Sequence, residues 1–371
     1  MQRAQTAAGY QFGSLMTNPA NIHSNYSAGL RWAEIEASWG AYEPSQGQYN
    51  RDALPISDIE AFKQAGFKVE LSLGLHYPPG WAKTLEPWVD QKGRTYNAQP
   101  NWFNPIIQQA VWDVIHHMVA DIGVENIDAV RIGGLHEQGE ILYPEEPGYR
   151  YLAYSSSAMR GTSLIPANPV PAWRPGQASR NGEAKRFLNW YVGALAEFGN
   201  YQVRALRNAG FTGQVQWLMP GVGMQPNWRS ELIANNLDLS RFYPNDHHIS
   251  GGGAAWDMII DKIEAKDVQT IITCTSLDDS TAQHANEGSS NVSEWSSAHW
   301  IAYNADRYNL RKSGESKGSD DYAQMQLAFR KMNEFGYEKL MWAWDNKLYN
   351  GQRASISNYA TFIEQSSANR G

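Results

Sequence analysis

Short apolar runs alternate with helical patterns along most of this chain, and this alternation most constrains the fold. Strand-like runs separated by amphipathic helices are typical of βα units, whose strands form a parallel sheet. Eight such runs occur, near residues 10–16, 29–37, 68–73, 127–132, 214–219, 268–275, 308–313 and 339–344. Eight units in 371 residues match an elaborated barrel. We therefore expect an α/β fold, specifically a (β/α)8 TIM barrel with long βα loops.

Helical patterns fill the connections between these runs. They cover residues 54–65, 105–122, 183–208, 254–265, 322–335 and 356–365. The segment 143–184 is rich in Pro, Ser and Gly, and its length predicts a loop excursion beside the site. The segment 246–255 contains three consecutive glycines and is predicted to be a flexible loop. No stretch resembles a linker, so we expect one catalytic domain spanning residues 1–371.

Charge and cysteine content exclude several classes of protein. The net charge is −7, from 38 acidic and 31 basic residues, which argues against nucleic-acid and anionic-membrane partners. The single cysteine, Cys274, rules out an intrachain disulfide and a cysteine-based zinc site. A Gly-rich turn after the first run and a Gly-x-Ser-x-Gly elbow are both absent, which disfavours dinucleotide binding and serine hydrolysis.

Two further expectations concern cofactors and location. Asp246 and the pair His247–His248 have no third ligand at a convincing spacing, so we expect neither a metal nor an organic cofactor. The first nine residues lack the apolar core of a signal peptide. The abundance of Asn, Ser, Gly and Trp favours a secreted or periplasmic protein whose signal has been removed, and the alternative is a cytoplasmic protein.

Carboxylates follow two of the predicted strands. Glu137 and Glu140 come after the run 127–132, and Glu315 follows the run 308–313. In a parallel barrel the carboxyl ends of the strands carry the chemistry. Cleavage of a glycosidic bond needs one carboxylic acid and one second carboxylate, and the 15 Trp and 19 Tyr could stack on sugars, although large cores also use them. These residues predict a glycoside hydrolase acting on an oligo- or polysaccharide.

The segment Gly139-Glu-Ile-Leu-Tyr-Pro144 resembles the beta-amylase motif around the general acid. Four more segments match that family in order: Glu36-Ala-Ser-Trp-Gly-Ala-Tyr-Glu43, Gly66-Phe-Lys-Val-Glu-Leu-Ser72 with His76, Thr273-Cys274 followed by Asp278, and Gly314-Glu315. The resemblance implies an exo-acting, inverting hydrolase with Glu140 as acid and Glu315 as base. It also implies that Glu36 and His76 bind sugar hydroxyls and that Thr273 lies on a mobile inner loop.

The chain departs from the beta-amylase pattern at two places. The Gly-rich lid after the third strand is replaced by Pro78-Pro-Gly-Trp81, and Ser316 stands where that family has Asn after its base. Because of these departures, the sequence predicts hydrolysis of a glycosidic bond but does not favour starch, or an α-linked sugar in general, as the substrate.

A second resemblance leads to different stereochemistry. Trp39-Gly-Ala-Tyr-Glu-Pro44, with Gly47-Gln-Tyr49, is similar to bacterial beta-galactosidases and related retaining barrels. Those enzymes carry Asn-Glu at the end of strand 4, where this chain has His136-Glu137. This resemblance implies Glu137 as acid/base and Glu315 as nucleophile.

Four more residues complete the predicted substrate site: Trp39, Tyr143, Asp278 and Trp344. Trp342 and Trp344 are expected to point the same way along strand 8, where either substrate contact or core packing would suit them. Asp278 could bind a sugar or lie in a solvated turn, and His76 could be structural. A non-catalytic carbohydrate-binding barrel remains the alternative from another class, which the presence of both glutamates disfavours.

Overall fold

The predicted strands form one closed parallel barrel. The computed structural model describes residues 9–145, 150–241, 251–350 and 353–368. The barrel strands are β1 Gln11–Ser14, β2 Trp32–Glu36, β3 Lys68–Ser72, β4 Ala129–Ile132, β5 Gln214–Met219, β6 Thr270–Cys274, β7 Arg311–Glu315 and β8 Lys339–Trp342. Each strand pairs with its neighbours in sequence, and β8 closes the barrel on β1. The predicted (β/α)8 fold is confirmed.

Helices of very different length follow the strands. Their bounds are Ile22–Ser27, Trp39–Tyr42, Ile56–Gln64, Gly80–Thr84, Pro105–Ile122, Ser156–Arg160, Glu183–Asn208, Pro226–Ala234, Trp256–Lys262, Ser280–His284, Ser297–Asp306, Tyr322–Phe335 and Ile356–Ala368. The helix Pro105–Ile122 matches its prediction because Asn104 caps it, Pro105 occupies the first turn and Gly123 ends it at a positive φ. Among the described residues, no helix has the length and apolar character needed to cross a membrane.

Strand β7 begins and ends later than the sequence predicts. The amides of Tyr308 and Leu310 both donate to Ala305 O, so these residues complete the end of the preceding helix. Glu315 is therefore the last residue of β7 rather than part of the loop after it. Strand β8 ends at Trp342, so the predicted alternation stops there: Trp342 is fully buried, whereas Trp344 is 37% exposed.

The described parts of the predicted loop excursion 143–184 and of the predicted flexible loop 246–255 both pack against other elements. The excursion 143–184 buries Tyr151 and contains the short helix Ser156–Arg160. The Gly251–Gly253 segment receives hydrogen bonds from the Tyr143 amide and the Tyr191 hydroxyl, so its described part is held in place. The remainder of the predicted flexible loop, residues 246–250, lies outside the described residues.

Charged side chains occupy much of the barrel interior. Trp32, Ala129 and Met341 form a small apolar cluster with Leu15 and Ala343. Ion pairs join β4 to β7 and β3 to β8, which are not neighbouring strands. Such contacts must cross the barrel, so an interior normally filled by branched apolar residues is here partly ionic.

Candidate active site

A glycine-rich turn after β4 brings Glu140 back over the end of that strand. The amide of Gly134 donates to Glu140 O at 2.8 Å, and Gly139 has a φ of +73°. A Cβ at Gly133 would lie 2.2 Å from Gly139 O, so a side chain there would collide with the turn. Ile141 then donates to Leu218 O on β5 at 2.9 Å. Glycine at these positions lets the turn close and so places Glu140 at the barrel mouth.

The carboxyl group of Glu140 is nearly buried and contacts neutral or weakly basic groups. The Thr275 hydroxyl donates to Oε1 at 2.7 Å, and His136 Nδ1 lies 3.6 Å from Oε2. Burial raises the pKa of Glu140 to about 7; the Thr275 hydrogen bond and the more distant Arg131 oppose this rise, and the charge of Glu315 adds to it. A carboxyl group with this pKa keeps its proton in a substantial fraction of the molecules near neutral pH, as a general acid requires.

Glu315 is held rigidly at the end of β7. Its carbonyl accepts the Leu277 amide at 3.0 Å, and the next amide, Ser316, donates to Met341 O on β8. Gly314 makes this packing possible, because a Cβ there would lie 2.2 Å from the Leu277 side chain. The loop after β6 therefore packs on β7 immediately beside the carboxylate.

An arginine from β4 contacts both oxygens of Glu315. Arg131 Nη1 donates to Oε1 at 2.6 Å, and Nη2 donates to Oε2 at 3.3 Å. The same Nη1 also donates to Glu70 Oε1 at 3.0 Å. Burial raises the pKa of Glu315 above its ordinary value, and Arg131 is the strongest opposing influence. The guanidinium therefore stabilises the ionised form of Glu315.

Further strands extend this ionic contact across the barrel. Glu70 Oε2 accepts hydrogen bonds from Lys339 on β8 and from Gln216 on β5. Although burial raises the pKa of Glu70, Lys339 and Arg131 bring it below the ordinary value. Positive and negative charges thus alternate from Lys339 through Glu70 and Arg131 to Glu315.

Glu34 is a further buried carboxyl group beneath the mouth. Its Oε2 accepts the Met16 amide at 2.7 Å. Burial raises the pKa of Glu34 to about 8, and the attraction of Arg131 only partly opposes this rise. With Glu34 and Glu140 protonated, the two cations Arg131 and Lys339 balance the two anions Glu70 and Glu315.

The ends of β2 and β3 contribute a polar edge. Glu36 Oε1 lies 3.0 Å from His76 Nε2, and the Tyr77 hydroxyl donates to Oε2 at 3.2 Å. Tyr77 is 45% exposed. A small, open cleft adjoins this edge and is lined by His76 and Arg131, among others. The predicted pair Glu36 and His76 is therefore brought together, and the His76 ring lies against Gly139, the residue before Glu140.

Glu137, the competing acid, has a different environment from Glu140. Its Oε2 accepts the Glu145 amide at 2.7 Å and lies 4.0 Å from His136 Nε2. The Glu137 side chain is 26% exposed, compared with 16% for Glu140. This contact to the Glu145 backbone gives Glu137 a role in the shape of its own loop.

The structure corrects the predicted roles of two aromatic residues. The Trp39 ring is fully buried, and its indole donates to Glu43 Oε2 at 2.7 Å. The Tyr143 ring is also buried and stacks on Tyr191 with ring centroids 3.8 Å apart. Neither ring has a free face for a sugar, because each already packs against other side chains. Of the predicted aromatic contacts, Trp344 keeps an exposed surface.

Two predicted residues of the β6 region also lie elsewhere than expected. Thr273 is within β6, buried, and donates to Gln216 at 3.0 Å, so it is not on a loop. Asp278 is buried as well and accepts the Lys317 amide at 2.7 Å. Burial raises the pKa of Asp278 to about 6. Thr275, two residues beyond Thr273, is the residue of this region that contacts Glu140.

Several site residues were missed because they lie inside strands that we treated as apolar. Glu34, Glu70, Arg131 and Lys339 are ionisable residues within buried strands. Such residues are rarely buried without a partner, so each is a signal that could have been noticed. In the described ranges, no group of three or more His, Cys, Asp or Glu side chains could hold a metal ion. Residues 246–248 lie outside those ranges.

Fold and site together define a (β/α)8 barrel with one carboxyl group in the loop after β4 and a buried one at the end of β7. No family model matches the chain, and no curated protein matches it by sequence. Among solved structures, it is similar to the catalytic domain of beta-amylase from Paenibacillus polymyxa, with a TM-score of 0.71 and 16% identity over 97% of this chain and 100% of that one.

Two beta-galactosidases are similar over part of their length. One is from the psychrophilic Marinomonas ef1, with a TM-score of 0.62 and 12% identity. The other is from the Antarctic haloarchaeon Halorubrum lacusprofundi, with a TM-score of 0.58 and 11% identity. Each match covers 96% of this chain, but 59% and 57% of the respective enzyme. Similarity at these identities establishes the fold.

Proposed function

We propose that this protein is a glycoside hydrolase in which Glu140 is the general acid and Glu315 the general base. The observation that carries this proposal is the contrast between a partly exposed carboxyl group and a buried one at the barrel mouth. Glu140 has a pKa of about 7 and accepts a hydrogen bond from a neutral hydroxyl group. Glu315, in contrast, contacts a guanidinium group through both oxygens. Unequal environments of this kind separate an acid from a base.

The proposed reaction needs only these groups and one water molecule. Glu140 donates its proton to the glycosidic oxygen as the bond to the anomeric carbon breaks. Glu315 removes a proton from a water molecule whose oxygen attacks that carbon from the opposite face. The products are a sugar of inverted configuration and the released alcohol. Proton exchange with solvent then restores Glu140 and Glu315.

The polar edge provides the binding groups for the sugar. Glu36 is aligned by His76 and Tyr77, and it is exposed enough to accept hydrogen bonds from hydroxyl groups. Trp344 offers an exposed aromatic surface at the end of β8, suited to the apolar face of a sugar ring. The exo-acting mode of this proposal rests on the likeness to the beta-amylase domain.

A retaining reaction is the second candidate, and the similarity to beta-galactosidases favours it. In that reaction Glu137 is the acid/base and Glu315 attacks the sugar. The hydrogen bond from the Glu145 amide to Glu137 and the stronger burial of Glu140 support the inverting assignment. A carbohydrate-binding barrel without turnover is the alternative outside enzymes.

The test is hydrolysis of a panel of α- and β-linked oligosaccharides, with the anomer of the first product followed by NMR. An inverted product would support Glu140 as acid, with a carboxyl gap of roughly 6.5–9.5 Å. A retained product would move the acid to Glu137 and require a gap of about 5–5.5 Å. Sugar binding without any product across the panel would contradict the hydrolase and favour the binding barrel.

A further inference from the structure

Arg131 links two carboxylates of the barrel interior. It lies on β4, and its side chain reaches Glu315 on β7 and Glu70 on β3. Its side chain is 10% exposed, and that of Glu315 is 4% exposed. A buried ion pair of this kind is weak support for stability, because desolvation offsets much of the attraction. Its location at a candidate reacting group suggests another role.

We propose that Arg131 is the positioning residue of Glu315, and that Glu70 in turn holds Arg131 in place. This inference rests on the proposed function, since it assigns how the base of that reaction is oriented and kept ionised. Arg131 acts through Glu315 and needs no contact with the sugar.

The two hydrogen bonds to Glu315 differ in length, and the difference indicates which oxygen acts. Oε1 accepts Nη1 at 2.6 Å, whereas Oε2 accepts Nη2 at 3.3 Å. The shorter contact uses Oε1 and fixes the plane of the carboxylate. Oε2 is held more weakly, so its lone pairs are more available to a water molecule. We therefore assign Oε2 as the oxygen that accepts the proton.

The charges around Glu315 support the role of Arg131 in keeping it ionised. Arg131 faces it from β4, Glu70 from β3 and Lys339 from β8. Glu140 interacts electrostatically with Glu315 from the β4 loop, and Glu34 with Arg131 from β2. Lys339 neutralises Glu70, which would otherwise compete for the charge of Arg131. A carboxylate buried this deeply would hold a proton at neutral pH without the guanidinium.

The substitutions Arg131→Lys and Arg131→Met separate orientation from charge. Lysine keeps a positive charge but cannot make the two-pronged contact. We expect Arg131→Lys to lower kcat by about tenfold to a hundredfold with little change in KM, because the base is misaligned while the sugar contacts remain. Arg131→Met should also move the acidic limb of the pH–rate profile upward by about one unit or more.

A direct measurement of Glu315 makes the test independent of turnover. The protein is labelled with ¹³C at the glutamate carboxyl carbon and titrated by NMR, and Glu315→Gln identifies the Glu315 signal. In Arg131→Met this signal should titrate at higher pH than in the wild type. Should Arg131→Met fail to fold, Arg131→Lys becomes the deciding variant. A lowered kcat at an unchanged KM would support the positioning role, and an unchanged kcat would overturn it.

Arg229→Lys is the matched control. Arg229 also makes a two-pronged contact with a carboxylate, Asp257, at 2.8 Å for both bonds, but outside the barrel interior. Its kcat and its Glu315 titration should match the wild type. An unchanged Glu315 titration in folded Arg131→Met, or an unchanged kcat in Arg131→Lys, would overturn the positioning role. Failure of the proposed function is seen separately, in a wild type that hydrolyses nothing.

Discussion

The carboxyl ends of β4 and β7 each present a glutamate that is largely removed from solvent, but its partners differ at the two ends. At β4 the residue lies in a glycine turn eight residues past the strand, and its carboxyl group accepts the Thr275 hydroxyl. At β7 it is the last residue of the strand and contacts Arg131 through both oxygens. Removal from solvent alone therefore does not assign a role to either carboxyl group. The charge of its immediate partner decides whether it keeps its proton.

The backbone adds a second contrast between the two regions. Glu140 depends on a turn that folds back on itself through Gly134, whereas Glu315 is held by hydrogen bonds from the loop after β6 and by β8. A base must be oriented closely towards a small water molecule, which suits a rigid strand end. An acid follows the leaving oxygen of a larger substrate, which a loop position allows.

Glu315→Gln should produce the largest effect. The amide is nearly isosteric but cannot accept a proton from water, so we expect kcat to fall by about 10⁴-fold, the upper range for an acid or base. Sugar binding should persist, because the amide still fills the space beside Arg131. Isothermal titration calorimetry with an intact oligosaccharide measures sugar binding, and the rate of product formation measures kcat. Wild-type turnover in this variant would mean that Glu315 is not the base.

Glu140→Gln should have the next largest effect, and its size should depend on the leaving group. We expect a loss of about 10²–10⁴-fold on an oligosaccharide, because the departing alkoxide is no longer protonated. A glycosyl fluoride needs little acid assistance, so the loss on that substrate should be much smaller.

Glu137→Gln is the matched variant for this experiment, since Glu137 lies in the same loop. It should retain most activity on both substrates, with a modest loss if the contact to Glu145 shapes the turn. The reverse pattern, a leaving-group-dependent loss in Glu137→Gln alone, would transfer the acid role and favour the retaining reaction.

The fold and the two strand ends could be predicted from sequence because they follow local rules. Alternating apolar runs defined the barrel, and glycines beside Glu140 and Glu315 marked tight backbone at both ends. Arg131 could not be predicted as the partner of Glu315, because 184 positions separate them and only barrel closure joins β4 to β7. Trp39 and Tyr143 were assigned to the sugar because sequence does not distinguish a ring that stacks on a ligand from one that stacks on its neighbours.

Glu34→Gln tests, through the stability of the fold, whether burial keeps a carboxyl group of this barrel protonated. In the folded chain the pKa of Glu34 is about 8, above the ordinary value of 4.5. Between these two values the folded state holds a proton that the unfolded state has lost. The stability that this group contributes is therefore fully present below pH 4.5 and is lost as the pH rises towards 8.

Glutamine cannot titrate, so Glu34→Gln should remove this loss. Relative to the wild type, the variant should gain about 1.4 kcal/mol in free energy of unfolding for each pH unit between 5 and 8. Urea unfolding at several pH values measures the difference, with Glu60→Gln on an exposed helix position as control. Parallel curves for Glu34→Gln and the wild type would mean that Glu34 is ionised in the folded state.

Thr275→Val should give the smallest effect, because it removes a hydrogen bond to Glu140 and leaves the contacts of Glu315 in place. The hydroxyl donates to the Glu140 carboxylate and lowers its pKa, so removing it should raise that pKa by about one unit. The basic limb of the pH–rate profile reports loss of the acid's proton and should therefore move upward, while the acidic limb stays in place. Thr275→Ser keeps the hydroxyl and should retain the wild-type profile. A shift of the acidic limb instead would mean that Glu140, rather than Glu315, titrates as the base, and the roles assigned to the two strand ends would have to be exchanged.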